Sequence, residues 1–149
     1  MATSFEDVYR SSYRRMTRVA HLLTGSNEAA EEIVQDAFVG LYQRFAAVAD
    51  PDGYLYRSVV NGCRARFRRK QVTDRLRPLR RVADVEPPDI DETWAALARI
   101  TPRRRAAVVL RFYADLPLTE IAALLGCSVG TVKSLIHRGL AQLKDVIEP

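Results

Sequence analysis

From Leu118 to Leu143 the chain reads LTEIAALLGCSVGTVKSLIHRGLAQL. Few spacings narrow a fold as much. Ala122 is small enough for a second helix to cross close to the first. Gly126, four residues later, stands where a turn needs a residue that tolerates positive φ. Cys127 is a small plug after the turn, and Ser128 is a good N-cap for the second helix. That helix then sorts into two arcs at about 100° per residue. Val132, Leu135, Ile136, Gly139, Leu140 and Leu143 share one arc, with Val132 and Ile136 returning to the core. Thr131, Lys133, Ser134, His137 and Arg138 fall mostly on the other. Hydroxyl, ammonium, imidazole and guanidinium groups on one exposed face are those that reach phosphates and base edges in a major groove. The stretch predicts a helix-turn-helix that reads duplex DNA. A helix-turn-helix used only for protein contact is the bland alternative.

The rest of the chain must accommodate this unit. Its 149 residues suit one ordinary domain or two small helical ones, and 48% hydrophobic residues supply material for packed cores. The net charge of +5 fits a polyanionic partner but is only weakly diagnostic. Cys63 and Cys127 lie inside apolar helical patterns and match neither zinc spacing nor a disulfide framework. The N-terminal MATSFEDVYRSSYRRM lacks an apolar signal core, and no stretch approaches the roughly 18 apolar residues of a membrane span. A soluble protein of a reducing cytoplasm is the expectation.

Helical periodicity dominates. Phe5, Val8, Tyr9, Met16, Ala20 and Leu23 trace a first amphipathic helix, ended by Thr24-Gly25. Ser26 or Asn27 caps a second, running to about Phe45. Ala46 to Ala49 form a short connection. Asp50-Pro51 then looks like an N-cap followed by proline at the first helical position, opening a third helix to about Lys70. Residues 71–92 carry Pro78, Pro87 and Pro88, a basic half and an acidic half, which argues for an extended linker. Helix resumes at Thr93. Thr101-Pro102 caps another, with Ala106, Val109, Leu110 and Tyr113 on its buried side. The expected fold class is therefore all-α: two small helical domains, 1–70 and 93–149, joined by a linker at 71–92. Both domains are net basic (+3 and +4) and the linker is net acidic (−2). Two DNA-contacting modules joined by a strand that avoids DNA fit this division.

Two further surfaces stand out. Along the third helix, Leu55, Tyr56, Val59, Val60, Cys63 and Phe67 form the apolar face. Tyr54, Arg57, Asn61, Arg64 and Arg68 line the opposite side, and Arg66, Arg69 and Lys70 continue the positive charge. Aromatics stack on unpaired bases, an amide reads a base edge and arginines hold phosphates, so the stripe suits single-stranded nucleic acid. Taken alone, a solvated basic helix end is the favoured reading. The second helix has a core arc of Ala30, Ile33, Val34, Ala37, Phe38, Leu41 and Phe45. Its outer arc holds Glu28, Glu32, Gln35, Asp36 and Gln43 around the apolar Val39. Such a ring is a candidate docking spot for a basic partner helix, although single exposed valines are common.

In order, AAEEIVQDAFVGLYQRF, YLYRSVVNGCRARFRRK, a proline-broken linker and LTEIAALLGCSVGTVKSLIHRGLAQL resemble the extracytoplasmic-function (ECF) group of the sigma-70 family, bacterial RNA polymerase sigma factors of the small actinobacterial type. The resemblance covers nearly the whole chain. It implies a region 2 bundle over 1–70, a linker over 71–92 and a region 4 helix-turn-helix over 93–149. Glu32, Gln35, Asp36 and Val39 would face the clamp helices of the polymerase β′ subunit. The connection Phe45–Pro51 with Tyr54, Arg57, Asn61, Arg64 and Arg68 would read and open the minus-10 element, a flipped base sitting near Asn61. The acidic linker would pass through the active-site cleft and RNA exit path, imitating the charge of RNA. Region 4 would dock on the β flap and place Ser128–Leu143 at the minus-35 element, with contacts from Thr131, Lys133, Ser134, His137 and Arg138. Leu135 stands where the family usually has arginine. An anti-sigma protein is a further partner that the resemblance suggests. No C-terminal regulatory domain is expected after Pro149.

The competing function is a stand-alone helix-turn-helix transcriptional regulator that binds a palindromic operator without polymerase. The two-surface layout with an acidic tether argues against it. An enzyme is the third class. Glu31, Glu32 and Asp36 could be read as metal ligands and His21 or His137 as a general base. The carboxylates, however, spread around a helix N-terminal half, and no nucleotide-binding glycine loop or H-E-x-x-H occurs. The expectation is a non-enzymatic protein with no catalytic residue, no metal and no cofactor.

Overall fold

In the computed structural model, backbone is described for residues 3–76 and 92–148, and side chains for 3–70 and 93–148. The linker residues 77–91 lie outside the described residues. Every regular element among those described is helical.

Local chemistry sets the helix ends. Helix α1, Phe5–Thr24, starts at a reciprocal capping box: Ser4 Oγ accepts from Asp7 N at 3.1 Å and Asp7 accepts from Ser4 N at 3.2 Å. It stops at Gly25, which takes the left-handed φ of 72° and donates its N–H to the His21 carbonyl at 2.7 Å. Helix α2, Asn27–Arg44, is capped by Ser26 accepting from Ala29 N, and a tight turn, Phe45–Ala47, comes after it. Helix α3, Pro51–Leu76, opens with the Asp50 carboxylate accepting from Gly53 N at 3.1 Å. It runs six residues past the expected end near Lys70, to Leu76. QVTDRL holds no helix breaker.

These three helices form one bundle. Met16, Val19, Val34, Leu41, Leu55, Val59 and Val60 are fully enclosed, and each such side chain contributes roughly 1.5–3 kcal/mol. Gly62 permits the α2–α3 approach, since a Cβ there would lie 2.9 Å from an Ile33 methyl carbon. At one end, Ser12 Oγ donates to Asp52 at 2.8 Å and Arg15 pairs with the same carboxylate at 3.2 Å.

The second unit comprises α4, Glu92–Leu97; α5, Pro102–Val108; α6, Leu118–Leu125; and α7, Val129–Ile147. Helix α5 widens into a π turn over Val109–Tyr113. That turn corrects one expectation. Ala106, Val109 and Leu110 are buried, but Tyr113 is 45% exposed. A π turn admits an extra residue per turn and rotates the residues after it off the α-helical arc. Leu116 takes the inward position instead, its N–H reaching the Leu110 carbonyl. Leu140, placed on the core arc of α7 by periodicity, is likewise 42% exposed. The two units pack against each other, α1 and α3 on one side and α5, the π turn and α6 on the other.

Candidate nucleic-acid interface

Helices α6 and α7 build the first candidate surface. Gly126 caps α6 at φ 66° and donates to the Ala122 carbonyl, as does Cys127 at 3.0 Å. Ser128 then caps α7, its Oγ accepting from Thr131 N at 3.1 Å. Ile121, Ala122, Leu125 and Val132 bury the inner faces of both helices. The chain direction of α7 is thereby fixed from within. Lys133, Ser134, His137 and Arg138 are all exposed on its outer side. Thr131 is different: it is half-buried, and its hydroxyl lies 3.0 Å from Ser128 Oγ, so it serves the helix start. Leu135 is half-buried against the core and adds no cation. Four polar side chains at helical spacing, over a rigid apolar base, can enter a groove as one unit.

The second candidate surface is on α3. Arg57, Asn61, Arg64 and Arg68 are exposed. Tyr54 is half-buried, its phenol end set against Gly40 of α2, where an added Cβ would meet the hydroxyl oxygen. Only part of that ring is available for stacking on a base. Arg64 already has a contact in the chain: its Nη1 lies 3.5 Å from the Leu124 carbonyl of α6. The connection preceding α3 is a tight turn at Phe45–Ala47, and Ala46, Ala47 and Ala49 are exposed beside it.

The third set lies on α2. Glu32, Gln35, Asp36 and Val39 are exposed along one side, Val39 at 56%. Tyr42, one turn further along, continues that side and is also exposed. Glu32 and Asp36 face Asn61, Arg66 and Arg69 across a groove of about 470 Å³ between α2 and α3. Negative and positive surfaces of the bundle therefore meet along one seam. No group of three or more His, Cys, Asp and Glu residues among those described is placed to hold a metal ion. His21 is buried at 4% exposure while His137 is exposed, so the two imidazoles occupy different settings. Cys63 is buried, and burial pushes its thiol up to about 12, away from thiolate chemistry at neutral pH. No single described helix is long and apolar enough to cross a membrane.

Comparison with known proteins agrees with this layout. The family model for sigma-70 region 2 matches residues 8–73, and that for sigma-70 region 4 matches 90–143. The chain is 32% identical to an RNA polymerase sigma-E factor of Streptomyces avermitilis, over 97% of this chain and 85% of that one. It is also 32% identical to the ECF RNA polymerase sigma factor SigM of Mycobacterium tuberculosis, over 97% of this chain and 77% of the relative. Among solved structures, the fold is similar to that of the sigma factor RpoE in its complex with the anti-sigma factor NepR from Bartonella quintana. The TM-score is 0.82 at 18% identity, covering 97% of this chain and 96% of that one. CnrH, in complex with the cytosolic domain of CnrY, gives a TM-score of 0.70 at 23% identity, over 97% and 87% of the two chains. The two helical units are thus a sigma region 2 bundle and a sigma region 4 helix-turn-helix. The chain belongs to the sigma-70 family of RNA polymerase sigma factors, in its ECF group. It is a transcription initiation factor that directs core RNA polymerase to promoters.

Proposed function

We propose that the two DNA-contacting surfaces divide promoter recognition between paired and unpaired bases. Lys133, Ser134, His137 and Arg138 of α7, with Thr131 at the helix start, contact the minus-35 major groove. Arg57, Asn61, Arg64 and Arg68, with the exposed edge of Tyr54, hold the minus-10 element after its strands separate. Binding unpaired bases more tightly than paired ones draws the melting equilibrium open without any chemical step. The protein then acts as a non-enzymatic specificity subunit, needs no cofactor or metal, and works in the cytoplasm. The domain division is region 2 over 1–70, a linker over 71–92 and region 4 over 93–149.

Glu32, Gln35, Asp36 and Val39 form the core-binding face, offered to a basic pair of helices on the polymerase clamp, while region 4 docks on the flap. The structurally similar RpoE of Bartonella quintana is bound to the anti-sigma factor NepR, and a protein of that class is a further partner here. One observation carries the reading: a single chain presents two polar, cation-rich helix faces on separate units, one on α3 and one on α7.

A gel shift with promoter duplex, with and without core polymerase, tests it. Core-dependent, promoter-specific binding is the expected result. Tight binding to a palindromic site by the isolated chain would favour a stand-alone regulator. Failure to associate with core polymerase would refute the assignment of the α2 face.

A further inference from the structure

Between the two units lies a contact that promoter recognition does not use. Arg105 of α5 is only 9% exposed, and no carboxylate among the described residues is paired with it. Its guanidinium instead donates to three backbone carbonyls: Nε to Leu97 at 3.0 Å, Nη2 to Ile100 at 3.2 Å and Nη1 to Leu23 at 3.1 Å. Leu97 and Ile100 belong to the second unit. Leu23 belongs to the last turn of α1, where carbonyls have no partner inside the helix and the dipole is negative. One cation therefore closes the end of a helix in the other unit.

The surrounding groups complete the joint. Arg105 lies over the Trp94 ring, 5.0 Å from its centroid. The far edge of that indole lies directly on Gly25, so closely that no Cβ fits there. The ring also meets His21 edge-on at 6.4 Å between centroids. Both His21 ring nitrogens are buried without a hydrogen-bond partner. That defect and the desolvated guanidinium oppose closure. The seam beside them is incompletely packed: Val60, Cys63 and Phe67 face Ala106 and Leu125 across a groove of about 350 Å³. Strong local contacts set against unsatisfied groups describe a joint that can open.

Geometry requires that it opens. A compact chain of this length measures roughly 40 Å across. The minus-35 and minus-10 elements are by name about 25 base pairs apart, or roughly 85 Å of duplex at 3.4 Å per step. The closed form cannot reach both. The fifteen residues between Leu76 and Glu92 could span at most about 50 Å when stretched, which makes up the difference once the units part. Closure also occupies Arg64, one of the arginines of the candidate minus-10 surface.

We propose that Arg105, with Trp94 seated on Gly25, is an interdomain latch that holds the unbound chain closed and must release before both promoter elements are engaged. The latch itself rests on the contacts above. Its consequence for promoters rests on the functional reading.

The test uses the full chain alone, in a Cys127→Ser background, so that Cys63 in the seam is the sole thiol. Two quantities are read: the rate of Cys63 modification by a maleimide, and the radius of gyration from small-angle scattering. The closed chain should give about 15 Å. Gly25→Asn is the sharpest variant, because asparagine tolerates the left-handed cap while its side chain displaces Trp94. Arg105→Met removes the bond to Leu23, and Arg105→Lys keeps charge with fewer donors. Gly25→Asn and Arg105→Met should label Cys63 at least tenfold faster and expand toward 20 Å or more, with helical circular dichroism retained. Arg105→Lys should fall between. Apparent affinity for core polymerase should rise by the same factor as the open fraction.

Wild-type radius already near 20 Å would overturn the latch. So would unchanged labelling and radius in folded Arg105→Met, whatever Gly25→Asn does. Neither result needs polymerase or DNA, so the latch can fail while the promoter reading stands. Loss of core binding by the α2 face would damage only the latter.

Discussion

Gly126 offers a clean separation of backbone conformation from side-chain contact. It sits between α6 and α7 at φ 66° and ψ 41°, and an added Cβ would meet nothing within 4 Å. Replacing it with alanine therefore costs no clash, only the left-handed penalty. That penalty is about 1–2 kcal/mol, offset in part by the lower entropy of the unfolded alanine chain. A net loss of about 1 kcal/mol is expected, which lowers the melting temperature by about 2–4 °C for a protein of this size. Gly126→Asn should lose about half as much, since asparagine enters this region more readily. Urea unfolding with an unchanged m-value measures both. Below the transition, minus-35 duplex affinity with core polymerase should stay within about twofold, because the folded turn still aims α7 the same way. A loss below about 0.3 kcal/mol for alanine, or a larger loss for asparagine than for alanine, would refute the reasoning from backbone conformation.

Other outcomes follow from the same structure. Lys133→Ala and Arg138→Ala remove exposed cations from α7; each should weaken promoter binding and reduce the salt slope by about one. Thermal stability should stay within about 0.5 kcal/mol in both, and a large drop would mean the side chains hold the fold instead. Burial raises the Cys63 thiol from 9.0 to about 12. The folded state thus favours the neutral thiol, and stability present below pH 9 is lost as pH rises toward 12, by about 1.4 kcal/mol per unit. Urea midpoints at pH 8.5 and 10.5 should therefore converge in Cys63→Ala relative to wild type. At the other extreme, the Ser4 backbone N–H and then its side chain hold the Asp7 carboxyl below its usual 3.8. Capping of α1 persists above that value and is lost as acid protonates Asp7; an NMR titration should show Ser4→Ala moving the midpoint back up.

Much of this arrangement was legible in residue spacing, and the exceptions have identifiable causes. Ser26, Asp50, Gly126 and Ser128 mark helix ends because capping depends on a few adjacent atoms. Periodicity failed at Tyr113 and Leu140 for a related reason. A helical arc assumes an unbroken α-helix, while a π turn intervenes before Tyr113, and the outer edge of an apolar arc need not be covered at Leu140. Gly62 and Gly139 look unfavourable inside helices. Their value is in the packing: Ile33 and Val108 occupy the space that their side chains would fill. On the candidate site, the exposed cations of α3 and α7 were readable, but the confinement of Tyr54 against Gly40 and the tie between Thr131 and Ser128 were not. Both depend on distances of a few ångströms that residue type does not encode.

Arg105 is the most instructive omission. In the run Arg103-Arg104-Arg105 it looks like surface charge, although its spacing of four from Val109 places it on the inner arc. Nothing in the sequence reveals that its partners are carbonyls, since backbone acceptors are present at every position. The same fact explains why the seam differs from the cores it joins. Within each unit, fully enclosed aliphatic side chains fix one packing, and alternatives lose apolar burial at many positions together. Across the seam, a cation meets one foreign carbonyl, an indole meets a glycine, and an imidazole gives up its water without compensation. If the latch releases, opening there rehydrates polar groups that closure leaves poorly served, which offsets part of the apolar contact it gives up. A partner that binds only the open chain then shifts the equilibrium by its differential affinity, while neither helical unit has to unfold.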